Sequence, residues 1–375
     1  MNNRDTIGMV NFHTSPELHP LTDARPLGST SFLGRYALTD FALSNLCNSD
    51  VSQFGVLVKD HVRSVQKHLG AMTSWVHNTK TGSMRVLLNE QALGTPERNT
   101  DLNNIKANDW LVYDSNADYI LIVPAHIVCP IDYRPILKKH IDDKEKITVI
   151  ATKVADASKE YIGQDIFFLD RLGYLEDCRV NDGSVPGPAL CSMDMVIINR
   201  TALAELIHQY LSKDPFLNLR GLIYRIAISG TYRIKCHQYE GYSRCICSFK
   251  DYMKYSFEFF DRKIFSSLFL PDWPIYTITQ DTPPAIYGET ASVSNSIVSN
   301  GATVEGTVIN SILCRDVKVA KGAVIRNSIV FSNSRIAEGS VVENALLDKH
   351  VIVTRNHNVT GKENEPVFIE QGSII

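Results

Sequence analysis

A two-part architecture is predicted: an α/β domain on a mostly parallel sheet, followed by a left-handed parallel β-helix of hexapeptide repeats. Three observations carry that prediction. Short apolar runs alternate with helix-like stretches through the first two-thirds of the 375-residue chain. In the final quarter, aliphatic residues recur at every sixth position. Between the two patterns lies a segment with four prolines, Pro271 to Pro284. The expected divisions are an α/β domain over 1–250, a linker over 251–286 and a β-helix over 287–375.

Taken in order, Ile7–Val10 is the first apolar run, and Phe54–Val58 is the second, followed by a helical stretch from His61 to Leu69. Asp118–Val123 and Ile147–Thr152 are uninterrupted apolar runs, with a helix-like segment between them around Pro135 to Lys144. Met193–Ile198 then Thr201–Leu211 repeats the strand-then-helix order, and Thr231–Cys236 reads as the last strand. Strands buried on both faces read as continuous apolar runs, which is why a parallel sheet covered by helices is expected.

In the C-terminal part, Asn295-Ser-Ile-Val, Asn310-Ser-Ile-Leu, Asn327-Ser-Ile-Val and Asn344-Ala-Leu-Leu recur. Val298 and Val304 stand six apart, as do Leu313, Val319 and Ile325, then Val330, Ile336 and Val342, then Leu347, Val353 and Val359. A sandwich strand alternates with period two and does not hold this phase, so four stacked coils are expected. Some such solenoids are acyltransferases with a histidine between coils; only His350 and His357 are available here, on the least regular coil.

Composition narrows the function classes. Thirty-eight Lys plus Arg against forty-one Asp plus Glu give a net charge of −3, with none of the basic excess of a nucleic-acid binder. No apolar run is long enough for a membrane span, and the N-terminus is polar. Eight cysteines without a C-x-x-C pair argue against zinc and for a reducing, cytoplasmic location. Lys59, Arg63 and Lys67 fall at i, i+4 and i+8, so one helix face is expected to carry them, either solvated or facing a phosphorylated effector.

One stretch is more specific. Leu18-His-Pro-Leu-Thr22, Arg25, Gly34-Arg35-Tyr36, Asp40-Phe41, Leu43-Ser-Asn45 and Asn48-Ser49 follow one another in close order. This closely resembles the N-terminal signature of bacterial ADP-glucose pyrophosphorylases, and the resemblance spans essentially the whole chain. It implies a nucleotidyltransferase-like domain, Rossmann-like and of the GT-A type, before the β-helix. It also implies an ancestral reaction joining glucose 1-phosphate to ATP with Mg²⁺. Thr22, Arg25, Gly34, Arg35, Tyr36 and Asp40 are the remnant ligand-binding candidates on that basis. A helix start in which Asp40 and Ser44 satisfy backbone donors explains part of the same pattern.

Against the family pattern, the chemistry-bearing positions are replaced. The glycine-rich phosphate loop is Asn11-Phe-His-Thr-Ser-Pro-Glu17 here, so Glu17 stands where an arginine is expected. Swapping attraction for repulsion at about 4 Å costs about 2 kcal/mol even at the permittivity of water. Leu27 takes the place of a phosphate-contacting lysine, and Ala125 and Cys245 take the places of the two magnesium carboxylates. Neither is a hard oxygen ligand, so no Mg²⁺ cofactor and no catalytic residue is expected. The pattern resembles GlgD-type glycogen-biosynthesis proteins, non-catalytic paralogues of the catalytic chain. That resemblance implies a hetero-oligomer with catalytic ADP-glucose pyrophosphorylase subunits, of tetramer size, and a possible sugar-phosphate effector. A working nucleotidyltransferase with an altered loop, and a metabolite sensor using the remnant site, are the alternatives.

Overall fold

The computed structural model describes residues 6–76, 80, 82–90, 95–113 and 117–375. At its centre is a nine-stranded sheet. Ser83–Leu88, Gln53–Val58, Thr6–Asn11 and Tyr119–Pro124 lie side by side and run parallel. Helices Leu38–Asn48, Val62–Leu69 and Arg134–Asp142 cover one face through Leu43, Leu46, Val65 and Ile136. Asp101–Ala107, Arg200–Leu211 and Leu219–Ser229 cover the other through Ile105, Leu203, Leu206 and Ile226. With both faces covered, the strands are apolar along their whole length, as the runs in the sequence indicate.

One strand departs from the parallel expectation. Ala189–Asn199 is antiparallel to both Tyr119–Pro124 and Ile147–Val154, while Ile234–Tyr239 returns parallel to the latter. The reason is its connection. It is reached from Ile147–Val154 through the antiparallel hairpin Asp165–Leu169/Leu175–Val180, without the crossover helix that parallel pairing requires.

The C-terminal part is a three-sided solenoid made of three parallel sheets with five strands each. It therefore has five coils, where the repeating Asn motif marks four. Asn295, Asn310, Asn327 and Asn344 turn the same corner at φ of 43–48° and form a ladder of side-chain amides. In the fifth coil the Asn344 amide donates instead to the carbonyl of Gly361, so the motif vanishes although the coil continues. Val304, Leu313, Val319, Ile325, Val330, Ile336, Val342, Leu347, Val353 and Val359 all point into the solenoid core; Val298, on the first coil, is only half-buried.

Between the two parts, the segment read as a linker opens with structure of its own. Helices Phe249–Phe257 and Arg262–Leu268 flank a 3₁₀ turn, and their aromatic rings fill a third core. Phe32 packs edge-on against Tyr252 and Phe259 from the α/β side. Phe331 and Phe368 of the solenoid meet Tyr252 and Phe249. A continuous apolar core thus joins the two parts.

Candidate functional site

At the carboxyl ends of the parallel strands, where Thr6–Asn11 lies between Gln53–Val58 on one side and Tyr119–Pro124 on the other, lies a cavity of about 400 Å³. This is the topological switch point at which α/β sheets place ligands. His13, Lys59, Asp101, Gln164, Asp194 and Arg220 are among the side chains that line it.

These groups are largely occupied with one another. The Asn11 side chain accepts from the His13 amide at 2.9 Å and donates to Asp101 at 2.9 Å. The imidazole of His13 lies 3.2 Å from the Asn99 carbonyl and 3.0 Å from the Asn104 amide nitrogen, and burial lowers its pKa. A phosphate loop presents free backbone N–H groups; here the loop after the first strand is tied down by its own side chains. Lys59 donates to Glu17 at 2.8 Å, and that ion pair holds the Glu17 carboxyl below its ordinary range. Arg220 clamps Asp165. The two cations of the cleft are therefore already neutralised.

Asp194 adds a buried acidic group. It sits in a bulge of the strand Ala189–Asn199 with a left-handed φ of 52° and a side chain only 12% exposed. The Gln164 amide, oriented with its NH₂ toward Asp194, donates to both carboxylate oxygens at 3.0 Å and accepts from Nε2 of His126 at 3.1 Å. Burial pushes Asp194 up to about 7, and it pushes fully buried His126 down to about 3, so the imidazole is neutral.

Ala125, Cys245 and Leu27, three positions set against the family pattern, are packed. Ala125 is fully buried, and a Cβ added to Gly28 would meet the Phe12 ring at 2.5 Å and the Ala125 methyl at 2.7 Å. An aspartate at 125 would have to enter that contact. Cys245 is buried with its sulfur 3.1 Å from that of Cys247. Neither position offers an oxygen ligand to a divalent ion, so the residues present do not fit the family's magnesium there. Leu27 is buried in the third core, in a 3₁₀ turn Leu27–Ser29.

The remnant candidates do not converge. Thr22 accepts from the Leu18 amide at 2.8 Å and closes a turn at the cleft margin. Arg25 is buried and donates to Asp348 at 2.8 Å and Gln371 at 3.0 Å, both in the solenoid. Asp40 is fully buried; it accepts from the Ala37 amide at 2.9 Å, capping Leu38–Asn48, and from His68 at 2.5 Å. Gly34, with φ of 82°, lies against the solenoid, where a Cβ would meet Ser299 at 2.4 Å. Gly34, Arg35 and Tyr36 together line a different cavity, at the junction.

Two models of known families match the chain: Nucleotidyl transferase over residues 15–161, and the GlmU-like C-terminal hexapeptide over residues 284–366. A glycogen biosynthesis protein GlgD of Bacillus subtilis (strain 168) is 31% identical over all of this chain and 98% of its own length. The chain belongs to the GlgD family. A second GlgD, from Geobacillus stearothermophilus, is 29% identical over 87% of this chain and 84% of its own length. A glucose-1-phosphate adenylyltransferase of Thermotoga sp. (strain RQ2) is 26% identical over 82% of this chain and 72% of its own length.

This GlgD-family chain has a second cavity, of about 170 Å³, where the α/β domain meets the solenoid. Arg35, Lys67, Arg315 and Lys349 line it, with Asp316 as the one carboxylate. Burial and the neighbouring Arg35 lower Arg315, and burial together with Arg25 lowers Lys349. Lys59, Arg63 and Lys67 do not share one face: the helix begins at Val62, after a left-handed His61, so Lys59 serves the cleft and Lys67 the junction. Asp194, Arg220, Arg315 and Lys349 escaped the sequence reading. A strand bulge and a junction between distant segments leave no local spacing signal. His350 also lines the junction cavity.

Proposed function

We propose that this chain works in glycogen biosynthesis as a regulatory subunit that does not itself make ADP-glucose, and that it acts by packing against catalytic ADP-glucose pyrophosphorylase chains. The observation that carries this reading is the contact of Phe12, Gly28 and Ala125, which fills with apolar atoms the position where the family's magnesium carboxylate belongs. The electrostatics agree. Lys59 and Arg220 are neutralised by Glu17 and Asp165, and Asp101 and Asp194 face the same cavity, so a triphosphate finds no net attraction. Regulation requires only that binding favour the active state of the catalytic chain, a coupling of about 1–3 kcal/mol.

Steady-state ADP-glucose synthesis tests this with three samples: this chain, a catalytic partner from the same cell, and the two co-expressed. The expected result is silence from this chain and a raised kcat or lowered KM in the mixture. Magnesium-dependent turnover by this chain alone above about 1 s⁻¹ overturns the reading.

The junction cavity supports an effector role within the same assignment. Four cations face one carboxylate across two domains, an arrangement suited to a phosphorylated sugar. Binding there stabilises the folded chain by RT ln(1 + [L]/Kd), about 2.7 kcal/mol at a hundredfold excess over Kd. Glucose 1-phosphate is therefore expected to raise Tm, and Lys349→Ala or Arg315→Ala to abolish the rise. An unchanged Tm in the parent chain removes the effector role and leaves the subunit reading standing.

A further inference from the structure

From the arrangement of Cys245 and Cys247 we infer an oxidative modification site, a dithiol that peroxides convert to an intrachain disulfide. The two sulfurs are 3.1 Å apart, at i and i+2. Cα atoms two residues apart stand at most about 6.6 Å from one another even in fully extended backbone, inside the range that a disulfide spans. Forming the bond requires a further approach of about 1 Å, which side-chain rotation supplies.

Access and environment are asymmetric in the way such a reaction requires. Cys247 is half-buried and lines the cleft cavity, so a small peroxide reaches it. Cys245 is buried behind it, protected from direct oxidation. Beside both lies Tyr161, buried and with a left-handed φ of 57°. Its buried hydroxyl stands among Ser243 and the thiols of Cys129, Cys245 and Cys247. That hydroxyl is a donor available to an oxygen placed on Cys247.

The chemistry balances with a hydroperoxide as oxidant. Cys247 sulfur attacks the terminal oxygen of the hydroperoxide and keeps it as a sulfenic acid; the O–O bond breaks and the other oxygen leaves, with the Cys247 proton, as water or alcohol. Cys245 sulfur then displaces the hydroxyl, which departs as water with the Cys245 proton. Two thiols and one peroxide give one disulfide, one water, and one water or alcohol.

The position gives the bond a consequence. Ser248, the next residue, caps Phe249–Phe257 by accepting from the Asp251 amide at 3.0 Å, and this helix carries the rings that meet the solenoid. Oxidation therefore acts where the cleft, the helix cap and the junction come together.

The test exposes the reduced full-length chain to hydrogen peroxide, alkylates remaining thiols with N-ethylmaleimide, and maps the peptides by tandem mass spectrometry. The expected product is a peptide lighter by two hydrogens with Cys245 and Cys247 both unalkylated, reverting on dithiothreitol. Cys247→Ser is expected to leave Cys245 fully alkylatable. Cys247 driven to sulfinic acid while Cys245 still takes maleimide overturns the proposal, as does a bond from Cys247 to any other cysteine or no reaction at Cys247. The wild-type peptide map decides the matter even if the variant fails to fold.

Discussion

Asp194 is held in a backbone conformation that non-glycine residues rarely adopt, with its carboxyl buried against neutral partners. Its pKa of about 7 lies above the unfolded value near 3.8. Between those two values the unfolded chain has released a proton that the folded chain keeps. Stability contributed by the protonated group is thus complete below about pH 4, falls as pH rises to about 7, and stays low above. Asp194→Asn keeps the left-handed φ and the Gln164 contact without the charge. Urea unfolding is expected to show the variant more stable than the parent at pH 8, by an amount on the order of a few kcal/mol, and equal to it near pH 4. Ala125→Asp tests the opposite move. It introduces a carboxyl into the contact with Phe12 and Gly28, so a loss of at least about 2 kcal/mol is expected in the same assay, with no gain of magnesium-dependent turnover.

At the scale of elements, the asparagine corner is a distinct design of the solenoid. Asn327 holds φ of 44°, accepts from Asn310 and donates to Asn344. Asn327→Ala loses the ladder and strains a Cβ in the left-handed region, a cost of about 1–2 kcal/mol, whereas Asn327→Gly loses the ladder alone and is expected to be milder. Differential scanning calorimetry of the two variants separates strain from hydrogen bonding. Most of this solenoid was legible in the sequence, because each inward aliphatic has one place to go and a slip of one residue would turn it to water. The fifth coil was hidden by Gly361, which takes the corner without the asparagine signal. In the sheet the apolar runs located strands but could not report that Ala189–Asn199 enters antiparallel. A strand buried on both faces looks alike in either direction. Glu17, Leu27, Ala125 and Cys245 depart from the family pattern one residue at a time, a comparison that needs only the sequence. Arg25 and Asp40 look like ligand residues in the motif, yet their partners, Asp348 and His68, are set by tertiary packing.

For the whole molecule, the two parts share one apolar core and are pinned by a buried ion pair. Arg25 and Asp348 have side chains 2% and 4% exposed. Asp348→Ala leaves a guanidinium buried without its carboxylate, so a loss of about 3–5 kcal/mol is expected in global unfolding. The loss should appear as one cooperative transition followed equally by probes on the α/β domain and on the solenoid; two separate transitions would show that the parts fold independently.

That pair also bears on the order in which the chain is made. Arg25 leaves the ribosome well ahead of its partners Asp348 and Gln371, which follow 323 and 346 positions later. During synthesis the strands and helices of the first domain have their own cores to assemble around, but the site that buries Arg25 does not yet exist. The guanidinium stays hydrated until these coils have been made and close over it, so docking of the solenoid is a late long-range step. A nascent chain stalled before Asp348 lacks Phe368 and is expected to leave the Phe249 ring uncovered on that side, apolar surface for a chaperone to hold.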